Sequence, residues 1–244
     1  NYLDRQVLSL TFEDFIRPEF HWTNSHYGLV GGLFSLVYAV AMLFAGRTVD
    51  WLDTKRGYMW SIGIWSVGAC VHALCGVATE WVVGLPNAEA MASVVNNVDL
   101  VAKIANVSLT FFIIARCVLA LGEAGNFPAA IKATAEYFPK KDRAYATSIF
   151  NAGSTIGALL APFTIPTLAA KFGWEAAFII IGALGFVWMG FWQFLYKKPD
   201  QNPMVNAAEL AYINSDNDAQ PAPAVEEAAP QKKPSLWQCF GYRQ

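Results

Sequence analysis

Four charged residues stand inside otherwise apolar stretches of this 244-residue chain: Asp4, Arg5, Arg116 and Glu123. Arg116 and Glu123 are two helical turns apart, so in a helix they share one face, about 10 Å apart along the axis. An arginine is a permanent, bidentate receptor for a carboxylate, and a buried carboxyl group gains or loses a proton as neighbouring charges change. The set predicts either an organic-anion site coupled to proton binding or structural ion pairs, Arg5–Glu123 or Arg116–Asp4, within a helix bundle.

Weaker polar signals accompany these charges. Tyr38 lies in the middle of an apolar stretch, where its hydroxyl would meet either a substrate or a neighbouring helix. Asn151 is a candidate substrate contact within a glycine-containing run that is typical of helix packing in membranes. Gly122 and Gly125 flank Glu123 and would allow a neighbouring helix or a ligand to approach closely.

The composition excludes several other classes of protein. Four cysteines are too few for a disulfide scaffold, and no Cys/His group has the spacing of a zinc site. A net charge of −2 and a pI of about 5.9 do not fit a nucleic-acid-binding protein, which is usually basic. No metal motif or nucleophile–base pair in the sequence indicates a membrane-embedded enzyme. We therefore expect no enzymatic activity, no cofactor, no metal and no nucleic-acid partner.

The distribution of charge predicts an all-α integral membrane protein. Hydrophobic residues make up 55% of the chain and charged residues 15%, against about 25% in a typical soluble domain. Four blocks without Asp, Glu, Lys or Arg are each at least 21 residues long, which is enough to span a bilayer. These blocks cover 20–46, 57–79, 144–170 and 176–196. A fifth block, 104–131, is of similar length and contains Arg116 and Glu123.

A sixth apolar run near the N-terminus, 7–12, is too short to span a bilayer. Because Asn1 is not a start methionine, we expect the chain to begin within its first helix. Residues 80–103 are predicted to form an extramembrane loop with room for a short helix. The six predicted membrane helices cover 1–14, 26–47, 57–79, 104–131, 143–170 and 175–196.

Lysine and arginine predict the orientation, because cytoplasmic loops are enriched in them. Most of the 17 lie in three regions on one side of the predicted bundle, namely 47–56, 132–143 and 197–243. The opposite side holds Arg17, Lys103 and Lys171. We therefore expect 199–244 in the cytoplasm, with an amphipathic helix at 206–216 and a flexible linker at 219–234. The outward loops would be 15–25, 80–103 and 171–175.

The tight cytoplasmic connection GRTVDWLDTKRGY (46–58) carries a glycine, an acid four residues later and a basic pair. These residues are Gly46, Asp50, Lys55 and Arg56. The pattern resembles the loop signature of the major facilitator superfamily, Gly-x-x-x-Asp followed by basic residues. From the residues alone, Asp50 would pair with Arg47 or with a basic residue at another helix end.

Three further segments narrow the resemblance. NYLDRQVLSL (1–10), ARCVLALGEAGNFPAAIKATAEYFP (115–139) and SIFNAGSTIGALLAP (148–162) are similar to the anion:cation symporter family, and most of all to hexuronate (glucuronate and galacturonate) transporters. The likeness covers about 1–200, and GEAGNFPAAIK is its most specific part.

The resemblance implies a role for each candidate residue. Arg5 would contact the substrate carboxylate, Asp4 and Glu123 would be the protonation sites, and Arg116 would support them. Tyr38 and Asn151 would complete the substrate-binding set. The loop residues Gly46, Asp50, Lys55 and Arg56 would belong to the gate.

The resemblance also implies the architecture: the six-transmembrane-helix N-terminal half of a twelve-helix fold, itself a 3+3 inverted repeat. Residues 1–198 would form this bundle, with its first helix truncated. Residues 199–244 would form a partly disordered linker to a C-terminal six-helix half outside this sequence.

The function implied by this family is proton-coupled symport of a hexuronate-like sugar acid across the inner (plasma) membrane by alternating access. Its partners would be the organic anion, H⁺ and the lipid bilayer. Two alternatives stay open: the same fold carrying another organic anion or phosphate, and a membrane anion sensor that does not transport.

Overall fold

The computed structural model describes residues 2–218, and its described part is helical with no strand. The first helical stretch consists of α1 (Tyr2–Thr11), a π-helical turn (Phe12–Ile16) and α2 (Arg17–Phe20). The remaining helices are α3 (Asn24–Leu52), α4 (Thr54–Val83), α5 (Ala88–Ala92), α6 (Val98–Tyr137), α7 (Lys140–Phe172), α8 (Trp174–Leu195), α9 (Ala207–Ile213) and α10 (Ser215–Asp218), with a 3-10 turn over Pro199–Gln201.

Five helices, α3, α4, α6, α7 and α8, are long and apolar enough to cross a membrane by length and composition. Each covers most or all of one of the five long predicted blocks: α4, α6 and α7 contain theirs, α3 begins four residues after the start of 20–46, and α8 ends one residue before the end of 176–196. Several helices run past the predicted ends: α6, for example, begins at Val98 and ends at Tyr137 rather than covering 104–131. The first helical stretch likewise continues to Phe20 rather than ending near 14. Charged residues therefore mark where the apolar part of a helix stops, but the helix itself, with its backbone hydrogen bonds, continues beyond them.

The predicted loop at 80–103 is shorter in the structure, because residues 80–83 end α4 and residues 98–103 begin α6. Two short connections on either side of α5 remain. The N–H of Ala90 donates to Oδ1 of Asn87 at 2.8 Å, which caps α5. The N–H of Leu100 donates to Oδ1 of Asn97 at 3.1 Å, which caps α6. The short helix expected in this loop is thus present, and Asn87 and Asn97 cap α5 and α6 respectively.

A single residue, Asp53, separates α3 from α4. Its φ of 68° places it in a region that non-glycine residues rarely adopt, and this conformation reverses the chain at one position. The predicted tight connection at 46–58 is therefore a one-residue turn between two long helices.

The helix α4 packs between α6 and α8, while α3 packs on α6 and α1 packs on α7 and α8. Small residues allow the close approach to α4. A Cβ at Gly68 would come within 2.7 Å of the Leu119 backbone nitrogen on α6, and a Cβ at Gly185 of α8 would come within 2.0 Å of Ser66 Oγ. The helix α4 therefore lies in direct contact with α6 and α8 at these glycines, as expected where small residues meet in membrane helices.

The segment after α8 folds back onto the first turn of α7. The backbone N–H of Lys140 donates to Oδ2 of Asp216 at 2.6 Å, and the hydroxyl of Tyr212 donates to Oδ2 of Asp142 at 2.7 Å. The Lys141 ammonium lies 4.3 Å from the centre of the Tyr212 ring. The helix predicted at 206–216 is present as α9 and the start of α10, whereas the linker predicted at 219–234 lies outside the described residues.

Candidate anion-binding site

An ion pair between α1 and α6 forms the centre of the site. Nε of Arg5 donates to Oε2 of Glu123 at 2.7 Å. The Glu123 side chain is fully buried, whereas the Arg5 side chain is 34% exposed. Of the two pairings left open by the sequence, the structure therefore contains Arg5–Glu123.

Aromatic rings of α3 cover the guanidinium group. Its carbon lies 4.5 Å from the centre of the Tyr38 ring and 5.6 Å from that of Phe34. The two rings are stacked, with centroids 6.0 Å apart. A cation over an aromatic face is stabilised by the ring quadrupole, so α3 fixes the orientation of Arg5. Phe34 was not predicted from the sequence, although it lies one turn before Tyr38 on the same face.

Arg116 and Asp4 lie deeper in the bundle and are both buried. The Arg116 guanidinium carbon lies 5.6 Å from the centre of the Phe34 ring, the same distance as the Arg5 guanidinium carbon. Both arginines therefore contact this ring. Asp4 interacts electrostatically with Glu123 and Arg116. The four charged residues predicted from the sequence are thus neighbours, and two positive charges balance two negative ones.

Asn151 lies in the wall of a different cavity. This cavity of about 520 Å³ is lined by α6, α7 and α8 together with Leu3, and neither Arg5 nor Tyr38 contributes to it. A neighbouring cavity of about 280 Å³ is lined by Asp4 and by Asn126. Asn126 lines both cavities and was not predicted, although it lies one turn after Glu123. The structure therefore groups five of the six predicted binding and protonation residues and places Asn151 apart from the Arg5–Tyr38 pair.

Comparison with known proteins decides the family. Residues 1–243 match the sequence profile of the Major Facilitator Superfamily. The chain belongs to the Major Facilitator Superfamily. It is 29% identical over 243 residues to a galacturonate transporter of Dickeya chrysanthemi, covering 100% of this chain and 60% of that protein. It is 30% identical over 243 residues to a hexuronate transporter of Escherichia coli K12, covering 100% of this chain and 48% of the relative.

A third relative is the Escherichia coli K12 protein named "Probable galactarate/D-glucarate transporter GudP", with 27% identity over 213 residues, 87% of this chain and 42% of that protein. The chain thus spans about half the length of the curated relatives it matches. Its resemblance to this superfamily and to hexuronate transporters is confirmed. Superfamily membership and five apolar helices make it part of a multi-pass membrane protein of a transporter family, not an enzyme.

The loop that carries the superfamily signature is tied to α6. Nζ of Lys132 lies 2.9 Å from Oδ1 of Asp50, so the partner of Asp50 is a basic residue of another helix rather than Arg47. Lys55 donates from Nζ to the backbone oxygen of Gln193 on α8 at 2.7 Å. Gly46 has open space around it, and Arg56 is exposed. Of the signature residues, Asp50 and Lys55 therefore make contacts between helices, whereas Gly46 and Arg56 stay accessible.

Asp53, in the turn of this loop, forms an ion pair with Lys198 at 3.2 Å. Burial opposes the ionisation of Asp53, but the backbone N–H of Thr54 and the Lys198 ammonium outweigh it and hold the pKa of the carboxyl below its ordinary value. Asp53 is therefore ionised across the neutral range and keeps the residues after α8 next to the α3–α4 turn.

Glu136 joins three helix ends on the same side of the bundle. The hydroxyl of Thr54, at the start of α4, donates to Oε1 of Glu136 at 2.5 Å, and the hydroxyl of Tyr196, after α8, donates to Oε2. Burial, followed by the contact with Glu136, raises the pKa of the Tyr196 phenol above its ordinary value. This contact was not predicted, because in sequence Glu136 is only an acid near a helix end.

Proposed function

We propose that the protein to which this chain belongs transports a hexuronate-like sugar acid together with H⁺ across the inner (plasma) membrane by alternating access. The observation that carries this proposal is the Arg5–Glu123 ion pair, in which the Glu123 side chain is fully buried whereas the Arg5 side chain is 34% exposed. The names of the galacturonate and hexuronate transporters among its relatives support the substrate class.

Arg5 is the receptor for the substrate carboxylate in this proposal. The ionised Glu123 carboxylate already occupies one edge of the Arg5 guanidinium group. Protonation of Glu123 weakens this ion pair, because a neutral carboxyl group attracts a cation less strongly. A substrate carboxylate can then take the edge that Glu123 has released. Tyr38 and Phe34 keep the guanidinium plane oriented while its partner changes.

The charge balance of the site supports one proton for each incoming carboxylate. Asp4, Arg5, Arg116 and Glu123 carry no net charge when all four are ionised. A substrate carboxylate that entered this buried cluster alone would leave one uncompensated negative charge, which is unfavourable in a low-dielectric site. A proton on Glu123 or Asp4 restores the balance. We assign these two residues to proton coupling and assign Arg116 to holding the positive charge beside them.

The remaining predicted residues complete the proposal. Residues 1–198 act as the N-terminal six-helix bundle in the lipid bilayer, and residues 199–244 act as the cytoplasmic linker to a second six-helix half. Asn151 binds substrate from the wall of its own cavity. Gly46, Asp50, Lys55 and Arg56 form the gate, and the Asp50–Lys132 and Lys55–Gln193 contacts support this role because they fix the loop against α6 and α8.

The test is uptake of labelled galacturonate by the full-length protein in proteoliposomes with an imposed pH gradient. Glu123→Gln cannot exchange a proton, so we expect it to lose gradient-driven accumulation but keep exchange of substrate between the two sides. Glu13→Gln is the matched control, since Glu13 also pairs with an arginine at 2.7 Å but is exposed. Gradient-driven accumulation by Glu123→Gln at the wild-type level would overturn the coupling mechanism.

A second substrate class is favoured by one observation: a relative carries the name of a galactarate/D-glucarate transporter. Competition of uptake by glucuronate, glucarate, sulfoacetate and phosphate separates these solutes. Inhibition by glucuronate but not by the others supports a hexuronate, whereas stronger inhibition by glucarate supports a dicarboxylate. Binding of these anions without flux would instead identify a membrane anion sensor.

A further inference from the structure

A third buried carboxyl group, besides Asp4 and Glu123, lies outside the anion-binding site. Glu19 of α2 belongs to the predicted outward loop 15–25 and lies outside the five candidate membrane spans. The residue is only 8% exposed. Nε1 of Trp174, the first residue of α8, donates to Oε2 of Glu19 at 2.7 Å. This hydrogen bond joins the end of the first helical stretch to the beginning of α8.

The other oxygen of Glu19 has no comparable partner. Oε1 is buried and accepts no hydrogen bond within the described part of the chain. It points towards Gly76 of α4, where an added Cβ would lie 3.5 Å from it and 3.8 Å from Oε1 of Glu175. Carboxyl groups of α2 and α8 therefore approach the same point on α4.

The charges that act on Glu19 are all negative. They belong to Glu175 of α8 and Glu80 of α4, and no cation of residues 2–218 balances them. On α2 and the turn before it, Arg17 is paired with Glu13. His21 contacts the backbone oxygen of Met91 on α5, 2.9 Å away.

Aromatic rings also pack against α2. Phe20 packs edge-on against Phe112 of α6 and against Trp174, with ring centres 5.7 and 6.0 Å apart. No charged group of α5 or α6 acts on Glu19 within residues 2–218. An ionised carboxylate here would be buried, unpaired and next to like charges, which is the least favourable combination for its charged form.

We propose that Glu19 is a proton-binding site, separate from the anion-binding site, and that the bound proton clamps α2 to α4 and α8. The proton sits on Oε1, the oxygen that otherwise lacks a partner, while Oε2 keeps the Trp174 hydrogen bond. Protonation removes the repulsion from Glu175 and Glu80 and turns Oε1 into a donor. Loss of the proton leaves a buried charge at this contact and loosens it.

The position of the site on the pH scale agrees with this role. Burial raises the pKa of the Glu19 carboxyl to about 7, Glu175 and Glu80 act in the same direction, and the Trp174 hydrogen bond opposes them. The folded protein thus binds more protons at Glu19 than the unfolded chain does between about pH 4.5 and about pH 7. The contribution of Glu19 to stability therefore falls as the pH rises through this window.

The test is thermal unfolding of the purified full-length protein in detergent, as a function of pH. Glu19→Gln mimics the protonated carboxyl, so we expect its Tm to exceed that of the wild type above pH 7 and to approach it at acidic pH. Glu13→Gln removes an exposed carboxylate of the same region and should keep the wild-type pH profile. Identical pH profiles of the wild type and Glu19→Gln would overturn the proposal.

A second variant keeps the proposal testable if Glu19→Gln does not fold. Trp174→Phe retains an aromatic ring but lacks the N–H that stabilises the ionised carboxylate. We therefore expect the protonated-carboxyl band in infrared spectra to persist to a higher pH than in the wild type. A band that disappears at the same pH in both proteins would show that Trp174 and Glu19 do not form this site. Neither experiment requires transport, so the outcome is independent of the function proposed above.

Discussion

Gly122 of α6 lies directly against the backbone of Trp65 on α4. A Cβ at Gly122 would come within 2.2 Å of the Trp65 nitrogen and 2.8 Å of the Ser61 carbonyl oxygen. Such distances are incompatible with a side chain, so the two helices would have to separate to accept one. Because Glu123 is the next residue, this separation would also displace the carboxylate that binds Arg5.

The substitution Gly122→Ala tests this contact. We expect it to lower the stability of the purified protein by about 1–3 kcal/mol, because overpacking forces the helices apart. The measurement is the midpoint of thermal unfolding in detergent. Gly190→Ala on α8 is the control, since its added Cβ would meet nothing within 4 Å. Equal losses in the two variants would mean that the close approach does not limit helix packing.

Replacement of Arg5 by lysine should weaken substrate binding even though the charge is retained. Lysine offers neither a bidentate edge nor a planar face for the Tyr38 ring. We expect KM for uptake to rise by about tenfold, which corresponds to ~1.4 kcal/mol. Arg17→Lys is the control, because Arg17 also pairs with a glutamate at 2.7 Å but is exposed. An unchanged KM in Arg5→Lys would argue against Arg5 as the carboxylate receptor.

Two variants of Tyr38 separate its ring from its hydroxyl group. Tyr38→Phe keeps the ring 4.5 Å from the Arg5 guanidinium carbon, whereas Tyr38→Leu removes it. If the ring orients Arg5, only the leucine variant should weaken substrate binding, by about 0.5–2 kcal/mol. Titration of substrate binding to the purified protein measures both. A loss in Tyr38→Phe as large as that in Tyr38→Leu would instead assign the effect to the hydroxyl.

Removal of the Glu136 carboxylate should loosen the helix ends that it joins. Glu136→Ala leaves the hydroxyls of Thr54 and Tyr196 without their acceptor, and we expect a loss of about 1–3 kcal/mol. Thermal unfolding measures it, with Glu89→Ala as a control at an exposed glutamate of α5. If the contact is real, Tyr196→Phe should destabilise the Glu136→Ala background far less than it destabilises the wild type.

The membrane helices and the two residues Arg116 and Glu123 on one face of α6 could be predicted because both follow from spacing along a single chain. Spacing along the chain could not predict which of these charged residues form an ion pair. Whether Glu123 meets Arg5 or Arg116 meets Asp4 depends on how α1 and α6 are rotated against each other, and the orientation of α6 depends in turn on its contacts with α4, such as Gly122–Trp65. The sequence therefore left two pairings open, and the structure contains one of them.

The unpredicted site residues share a different cause. Phe34 looks like an ordinary apolar core residue, since its chemical role depends on the cations that other helices supply. Asn126 and Glu136 are polar, but nothing in their spacing distinguishes a buried contact from a solvated helix end. Asn151 shows the converse limit: its helix could be predicted, but the cavity that it faces could not.

The docking of Asp216 and Tyr212 on α7 has a mechanical consequence. Because these two residues bind the first turn of α7, residues 207–218 are held at α7 rather than at the end of α8 at Leu195. The residues between Leu195 and α9 therefore connect two different helices of the bundle. A displacement of α7 relative to α8 would pull directly on this connection.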